Sequence, residues 1–122
     1  MGLLCATSVW RLFPEVEDVL SKLSDGDTRL ILVTNFDDRI HPIIGGLGIA
    51  GYFGENVITS ASAKSRKPDS GIFGEAKALA KPGPILHVGD ERVADWEGAR
   101  NAGLSAFELD RTQRSLLDLP MI

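Results

Sequence analysis

The chain has 122 residues, enough for one domain with a hydrophobic core, and its apolar and charged fractions, 43% and 25%, are ordinary for a globular protein. Its formal net charge of -4 offers no basic surface to nucleic acid, and a single cysteine, Cys5, excludes a disulfide framework or a cysteine metal cluster. No run is long enough for a transmembrane helix and the start lacks a signal peptide's basic region, so we expect a cytoplasmic protein without membrane partners.

Apolar runs and helical patterns alternate in the first half of the chain. Pro14 can open a helix, Leu30–Thr34 is a continuous apolar run typical of a buried strand, and Gly48 can end a second helix. The apolar faces of the two helices are predicted from residues at helical spacing, namely Val16, Val19, Leu20 and Leu23, then Ile40, Ile43, Ile44 and Leu47.

The second half continues the alternation. We predict a short strand at 56–59, a polar loop at 60–66 and a helix opened by Pro68 and Asp69. A buried strand at 85–88, a helix at 96–102 closed by Gly103, a last strand at 106–109 and a tail helix at 111–117 follow. Such alternation with short loops predicts a single α/β domain with a doubly wound, mostly parallel sheet.

Polar residues follow two of the predicted strands, where ligands bind in open α/β sheets. Thr34 and Asn35 end one strand and offer a hydroxyl and backbone N–H groups to a phosphate oxygen, although Asn35 could equally cap the next helix. Asp90 and Asp95 follow the 85–88 strand, and two carboxylates there suit Mg²⁺, with a solvated acidic turn as the alternative.

Two further residues have ordinary explanations. Lys67 precedes a proline near a helix start, and most such lysines are only solvated charges. His87 lies inside the apolar 85–88 run, which predicts a core histidine with satisfied hydrogen bonds, and His41 is predicted to lie at the surface.

Three segments, in chain order, resemble the second, third and fourth motifs of the haloacid dehalogenase-like (HAD) hydrolase superfamily. They are Val33-Thr34-Asn35, Lys67-Pro68-Asp69-Ser70-Gly71-Ile72-Phe73, and His87-Val88-Gly89-Asp90 with Asp95-Trp96-Glu97-Gly98-Ala99. Residues 10–14 and 35–37 are most similar to one branch of this superfamily. The resemblance covers residues 10–109 and implies a Rossmann-like core, and Ser70 departs from it where the family usually has a second proline.

The resemblance also implies roles for the polar residues. Thr34, aided by the Asn35 backbone, would bind a phosphoryl oxygen, and Lys67 would neutralise the phosphate and keep a nucleophilic carboxylate ionised. Thr34 and Lys67 would thus be catalytic. Asp90 would bind Mg²⁺, with Asp95 a second ligand or an acceptor for metal-bound water. The implied partner is a small phosphorylated substrate, and the acidic pair favours a Mg²⁺ phosphatase over the metal-free dehalogenases of the superfamily.

The family's nucleophile motif is not found where the resemblance requires it. Members carry Asp-x-Asp at the end of their first strand, whereas nothing acidic lies between Met1 and Trp10. The resemblance therefore implies a single incomplete core domain over 1–122, with 1–12 a remnant of the cap. We expect a phosphohydrolase fragment that is inactive alone and binds Mg²⁺ weakly or not at all. The alternative is a non-enzymatic HAD-like binding or scaffold module. A receiver domain is disfavoured because its acidic residues would precede the threonine and lysine.

The resemblance places the absent first strand in the middle of the sheet, between Leu30–Thr34 and the 85–88 strand. Its loss would open a gap of roughly 10 Å between two buried edges. We expect the slot to stay unfilled in a marginally stable, poorly soluble chain, and regard insertion of residues 3–9 as the less favoured outcome.

Overall fold

The computed structural model describes residues 15–26, 28–80, 84–110, 112–113 and 115–119 in full. For residues 2–4 it describes the backbone. The strands are β1 (Gly2–Leu4), β2 (Leu30–Thr34), β3 (Val57–Thr59), β4 (Leu86–Gly89) and β5 (Ser105–Glu108). The helices are α1 (Val16–Asp25), α2 (Ile40–Gly46), α3 (Ala50–Phe53), α4 (Ser60–Ala63), α5 (Ser70–Ala80) and α6 (Gly98–Asn101), with a π-helical turn at Arg92–Glu97 and a 3₁₀ turn at Leu116–Asp118.

All five strands form one parallel sheet in the order β3-β2-β1-β4-β5. Helices cover both faces of this sheet. One core contains residues of α1, α2 and α3, and the other contains residues of α5 and α6. The structure therefore confirms the predicted doubly wound, Rossmann-like α/β fold.

The apolar run of β2 reflects burial on both faces of the sheet. Leu30 and Leu32 point into the core beneath α1 and α2, while Ile31 and Val33 point into the core beneath α5. Because successive side chains of a strand point to opposite faces, a strand covered on both sides needs apolar residues at every position.

The central slot of the sheet is filled, so the expectation of an unfilled gap is wrong. β1 pairs in parallel with both neighbours, and Leu3 lies level with Ile31 and with His87. Its backbone groups bond to both buried edges, which would otherwise leave N–H and C=O groups unsatisfied at about 1–3 kcal/mol each. The strand begins at Gly2, and residues 5–9 of the segment considered for insertion lie outside the described residues.

Three local elements differ from the predictions. The segment 60–66, predicted as a loop, begins with the one-turn helix α4, because Thr59 and Ser62 exchange side-chain-to-backbone hydrogen bonds in a capping box. The helix predicted at 96–102 starts earlier, with the π-helical turn at Arg92–Glu97. The predicted tail helix is a 3₁₀ turn at Leu116–Asp118, anchored by the buried Leu116.

The one-turn helix α3 was not predicted, and the remaining elements agree with the sequence pattern to within a residue or two. The exposure of His41 on α2 is confirmed. Gly48 and Gly103, predicted to end helices, both have positive φ, at 79° and 87°. Within the described residues, no helix combines the length and apolar character that a membrane crossing requires.

Candidate active site at the carboxyl edge of the sheet

The predicted site residues share one edge of the sheet, as expected. Thr34 is the last residue of β2 and Asp90 directly follows β4; since both strands run parallel to β1, their carboxyl ends lie at the same edge. Thr34 is buried and its Oγ1 accepts a hydrogen bond from the Phe36 N–H at 3.1 Å. Asp90 is exposed. The buried Thr34 hydroxyl and the exposed Asp90 carboxylate therefore lie at the same edge of the sheet, the edge at which ligands bind in open α/β folds.

The Asn35 side chain holds the Lys67 segment in place. Its Oδ1 accepts the Lys67 backbone N–H at 2.6 Å, and its Nδ2 donates to the Lys67 carbonyl at 3.1 Å. The loop is fixed further because Ser60 Oγ donates to the Asn35 carbonyl at 2.9 Å. Asn35 does not cap α2, whose first turn follows Arg39 without a side-chain cap. Its amide instead joins two segments that are 32 residues apart in sequence.

The Lys67 ammonium forms a buried ion pair with Asp95. Lys67 Nζ lies 2.7 Å from Asp95 Oδ1, and both side chains are fully buried. His87 Nε2 lies 3.0 Å from the same oxygen, and the Glu91 N–H donates to Oδ2 at 3.1 Å. Burial alone would raise the pKa of the Asp95 carboxyl. The hydrogen bond from His87 and the charge of Lys67 outweigh that effect and hold its pKa below the usual value.

His87 is buried, as predicted, but only half of its hydrogen-bonding capacity is satisfied. Its ring stands edge to face against Phe73, with centroids 5.1 Å apart, and its Nδ1 has no hydrogen-bond partner in the part of the chain that the structure describes. Burial lowers the pKa of the His87 imidazole below its ordinary value, and the nearby Lys67 charge adds to this, against the opposing effect of Asp95. Burial and the Lys67 charge therefore favour the neutral form of the His87 ring.

Glycine at position 89 is required by the way Asp95 packs. A Cβ on Gly89 would lie 2.2 Å from Asp95 Cγ, so a side chain there would displace the carboxylate. The Gly89 carbonyl accepts a hydrogen bond from Trp96 Nε1 at 2.7 Å, which ties the end of β4 to the π-helical turn. Such π-helical turns occur frequently at functional sites. The turn carries Asp95 back beneath the strand tip.

A second glycine brings α6 against the lysine loop. A Cβ on Gly98 would lie 2.9 Å from both Cα and Cβ of Pro68 and 3.0 Å from the Phe73 ring. The absence of a side chain at this position lets the start of α6 approach the residue after Lys67. The segment 95–99 and the Lys67-Pro68 segment, both recognised in the sequence, therefore pack directly on one another.

The two predicted metal ligands occupy different environments. Asp90 is exposed, whereas Asp95 is enclosed and both of its carboxylate oxygens accept hydrogen bonds from the protein. Among the described residues, no three His, Cys, Asp or Glu side chains group closely enough to hold a metal ion. These residues alone do not provide a complete Mg²⁺ site, and Asp95 serves as the counterion of Lys67.

The motifs that converge at this edge agree with the comparison to protein families. The model for haloacid dehalogenase-like hydrolases matches residues 2–103. The chain belongs to this family. Human haloacid dehalogenase-like hydrolase domain-containing protein 3 represents the branch that residues 10–14 and 35–37 indicated, and is 39% identical over 100 residues, which cover 80% of this chain. The match covers 39% of the human protein, so the chain spans about two fifths of that relative's length.

Solved structures share the fold. A HAD phosphatase from Thermococcus onnurineus superposes with a TM-score of 0.77 at 26% identity, covering 86% of this chain and 49% of that one. A hydrolase from Streptococcus pneumoniae gives 0.74 at 31% identity, covering 89% and 58%. These matches confirm the predicted family and the HAD-like core.

Sequence reasoning missed two features of this HAD-like site. The side chain of Asn35 was considered as a helix cap, although it binds the Lys67 backbone. The sequence predicts His87 as a core histidine with satisfied hydrogen bonds but does not identify Asp95 as its partner. The available signal for His87 was its position, a titratable residue inside an apolar strand three residues before Asp90.

Proposed function

We propose that this chain provides the phosphate-binding part of a HAD-type phosphohydrolase and acts on small phosphorylated molecules. The observation that carries this proposal is the buried Lys67–Asp95 pair, held at the carboxyl edge of the sheet on which Thr34 and Asp90 also lie. A buried lysine is costly, and such costs are concentrated at functional sites. Membership of the hydrolase family supports the assignment.

Each residue contributes a different interaction with a phosphoryl group. The Thr34 hydroxyl and the backbone N–H groups that follow it are hydrogen-bond donors to phosphoryl oxygens. Lys67 supplies positive charge; its side chain is enclosed, and charge is screened much less in a protein interior than at the surface. His87 and the Glu91 N–H also donate to Asp95 and compensate part of its negative charge, so Asp95 does not fully cancel the attraction of Lys67 for an anion.

We expect the 122-residue chain to bind phosphate without turning it over. Phosphoryl transfer in this family uses an aspartate nucleophile, and the sequence carries no carboxylate before Trp10. Removing the nucleophile of a protease costs about a million-fold in rate, roughly 8 kcal/mol. The chain alone should therefore show no hydrolysis of p-nitrophenyl phosphate above background.

We expect Mg²⁺ to bind weakly. Asp90 offers an exposed carboxylate, and Mg²⁺ dehydrates reluctantly and is commonly held by one or two carboxylates together with substrate phosphate. When bound, the ion would supply positive charge against phosphate oxygens. Calorimetry should give a dissociation constant no tighter than roughly millimolar, or about -4 kcal/mol, and micromolar affinity would contradict this expectation.

Phosphate binding tests the proposal directly. Orthophosphate is titrated into the labelled chain while amide shifts are followed by NMR, with Thr34→Val and Thr34→Ser as a matched pair. Thr34→Val keeps the side-chain shape but removes the hydroxyl, so phosphate affinity should fall about tenfold or more, as expected for a lost hydrogen bond to a charged group. Thr34→Ser keeps the hydroxyl and should stay within about threefold of the parent.

The outcomes separate the two functions considered for this chain. Phosphate shifts that cluster at residues 34–37, 67 and 90 support the phosphohydrolase assignment. Absence of phosphate binding would favour a non-enzymatic HAD-like module. Mg²⁺-dependent turnover of p-nitrophenyl phosphate that Asp90→Ala abolishes would show that another residue of this chain replaces the nucleophile.

A further inference from the structure

His87 is the buried titratable group for which the proposed phosphate chemistry gives no role. It has no exposed surface, and it contacts the same Asp95 oxygen that binds Lys67. Its other ring nitrogen has no partner among the described residues. A buried polar ring with one bonded and one unpaired nitrogen lowers the stability of the fold, and an apolar residue at this position of β4 would avoid that loss. This loss of stability suggests that the contact with Asp95 has a function.

The contact fixes the tautomer of the ring. Asp95 is ionised and its Oδ1 can only accept hydrogen bonds, so the histidine atom 3.0 Å away must be a donor. The proton therefore lies on Nε2. With its proton on Nε2, the neutral ring leaves Nδ1 unprotonated, which agrees with the absence of an acceptor for it among the residues that the structure describes.

The tautomer determines how Asp95 is held. Three donors surround the carboxylate: the Lys67 ammonium and His87 Nε2–H on Oδ1, and the Glu91 N–H on Oδ2. Without His87, Lys67 would be the one donor to Oδ1 among the described residues, and the carboxylate could rotate toward the lysine. With His87 in place, Asp95 Oδ1 accepts hydrogen bonds from both the Lys67 ammonium and the His87 ring. Lys67 is then held without being the only donor to that oxygen.

We propose that His87 is a positioning residue that, as the Nε2–H tautomer, holds the Asp95 carboxylate in the rotamer that orients Lys67 toward the phosphate site. The part of this inference that concerns phosphate rests on the proposed function, whereas the part that concerns Asp95 and Lys67 does not. His87 itself touches no substrate and acts only through Asp95.

The tautomer is tested on the unaltered chain. Long-range ¹H–¹⁵N correlation spectra of histidine-labelled protein distinguish the two ring nitrogens, and the chain has only two histidines. The exposed His41 serves as an internal reference. We expect His87 to show a single neutral form with its proton on Nε2 at pH 7. A proton on Nδ1, or an imidazolium, would overturn the inference.

The positioning role is tested with two substitutions of similar size. His87→Gln keeps an N–H donor near the Nε2 position, whereas His87→Leu removes it. We expect orthophosphate affinity to fall about tenfold in His87→Leu, as for a lost hydrogen bond to a charged group, and to stay within about threefold in His87→Gln. Ile58→Val, a mild change in β3 on the same core, should leave phosphate affinity unchanged.

A second readout separates this inference from the proposed function. The slowly exchanging ammonium signal of the buried Lys67 should persist in His87→Gln and broaden or vanish in His87→Leu. Equal ammonium signals in both variants would overturn the positioning role even if phosphate binds. Absence of phosphate binding in the parent chain, with the ammonium difference preserved, would refute the proposed function and leave the positioning role supported.

Discussion

Replacing Gly89 with alanine is a sharp test of the buried ion pair. The new Cβ would lie 2.2 Å from Asp95 Cγ and 2.3 Å from its Oδ2, far inside the distance at which such atoms can rest. Asp95 cannot swing into solvent, because it is fully buried and held by three donors. The carboxylate must therefore move away from Lys67, or the end of β4 must shift.

Either response separates a buried charge from its partner. Breaking a buried ion pair destabilises a protein by about 3–5 kcal/mol, because a charge is left without compensation in the interior. Domains of this kind are stable by about 5–15 kcal/mol, so Gly89→Ala should remove about a fifth or more of the free energy of unfolding. With a urea dependence of about 1–3 kcal/mol per molar, the unfolding midpoint should drop by roughly 2 M.

A second glycine provides the matched control. Gly74 lies inside α5, is exposed, and a Cβ there would meet nothing within 4 Å. Gly74→Ala should therefore stabilise the chain by about 0.5–1 kcal/mol through helix propensity alone. Both variants are measured by urea unfolding followed by far-UV circular dichroism. If Gly89→Ala stays within about 1 kcal/mol of the parent while Gly74→Ala gains stability, Asp95 does not pack against Gly89 and the site geometry is wrong.

Three further outcomes follow from the same structure. Lys67→Met should lower the free energy of unfolding by about 3–5 kcal/mol in urea titrations, because it leaves the Asp95 carboxylate buried without its cation; a loss below about 1 kcal/mol would contradict the pairing. Stability should decline on acidification, because folding lowers the pKa of His87 below 6.5 and that of Asp95 below 3.8, so the unfolded chain binds more protons. The free energy of unfolding should begin to decline as the pH falls through about 6.5, and the decline should steepen below about pH 4. The slope should be at most about 1.4 kcal/mol per pH unit for each proton. Urea midpoints that stay flat between about pH 7 and 5 would refute the His87 contribution. Gly98→Ala should cost about 1–3 kcal/mol by overpacking against Pro68 and Phe73, as a lowered melting temperature, and an unchanged melting temperature would show that α6 does not approach the lysine loop.

Local patterns in the sequence were enough to predict most of the fold. β2 is predicted without error because burial on both faces demands an uninterrupted apolar run, which few other elements show. α1 and α5 were recognisable from apolar residues at helical spacing. The edge that carries Thr34 and the Asp90–Asp95 segment also followed from sequence, because parallel strands must end on the same side, whereas only the family resemblance associated Lys67 with these residues.

The tertiary structure decided the features that depend on contacts between distant segments. β1 has weak strand composition, and it forms because two buried edges flank its slot. Asp95, which the resemblance implied to be a metal ligand or an acceptor for metal-bound water, pairs with Lys67 because the π-helical turn buries it beneath Gly89, where Lys67 and His87 are its nearest donors. Those partners lie 28 and 8 residues away in sequence. Residue type shows that a side chain can ionise, but the environment and partner that set its role arise only when the chain packs.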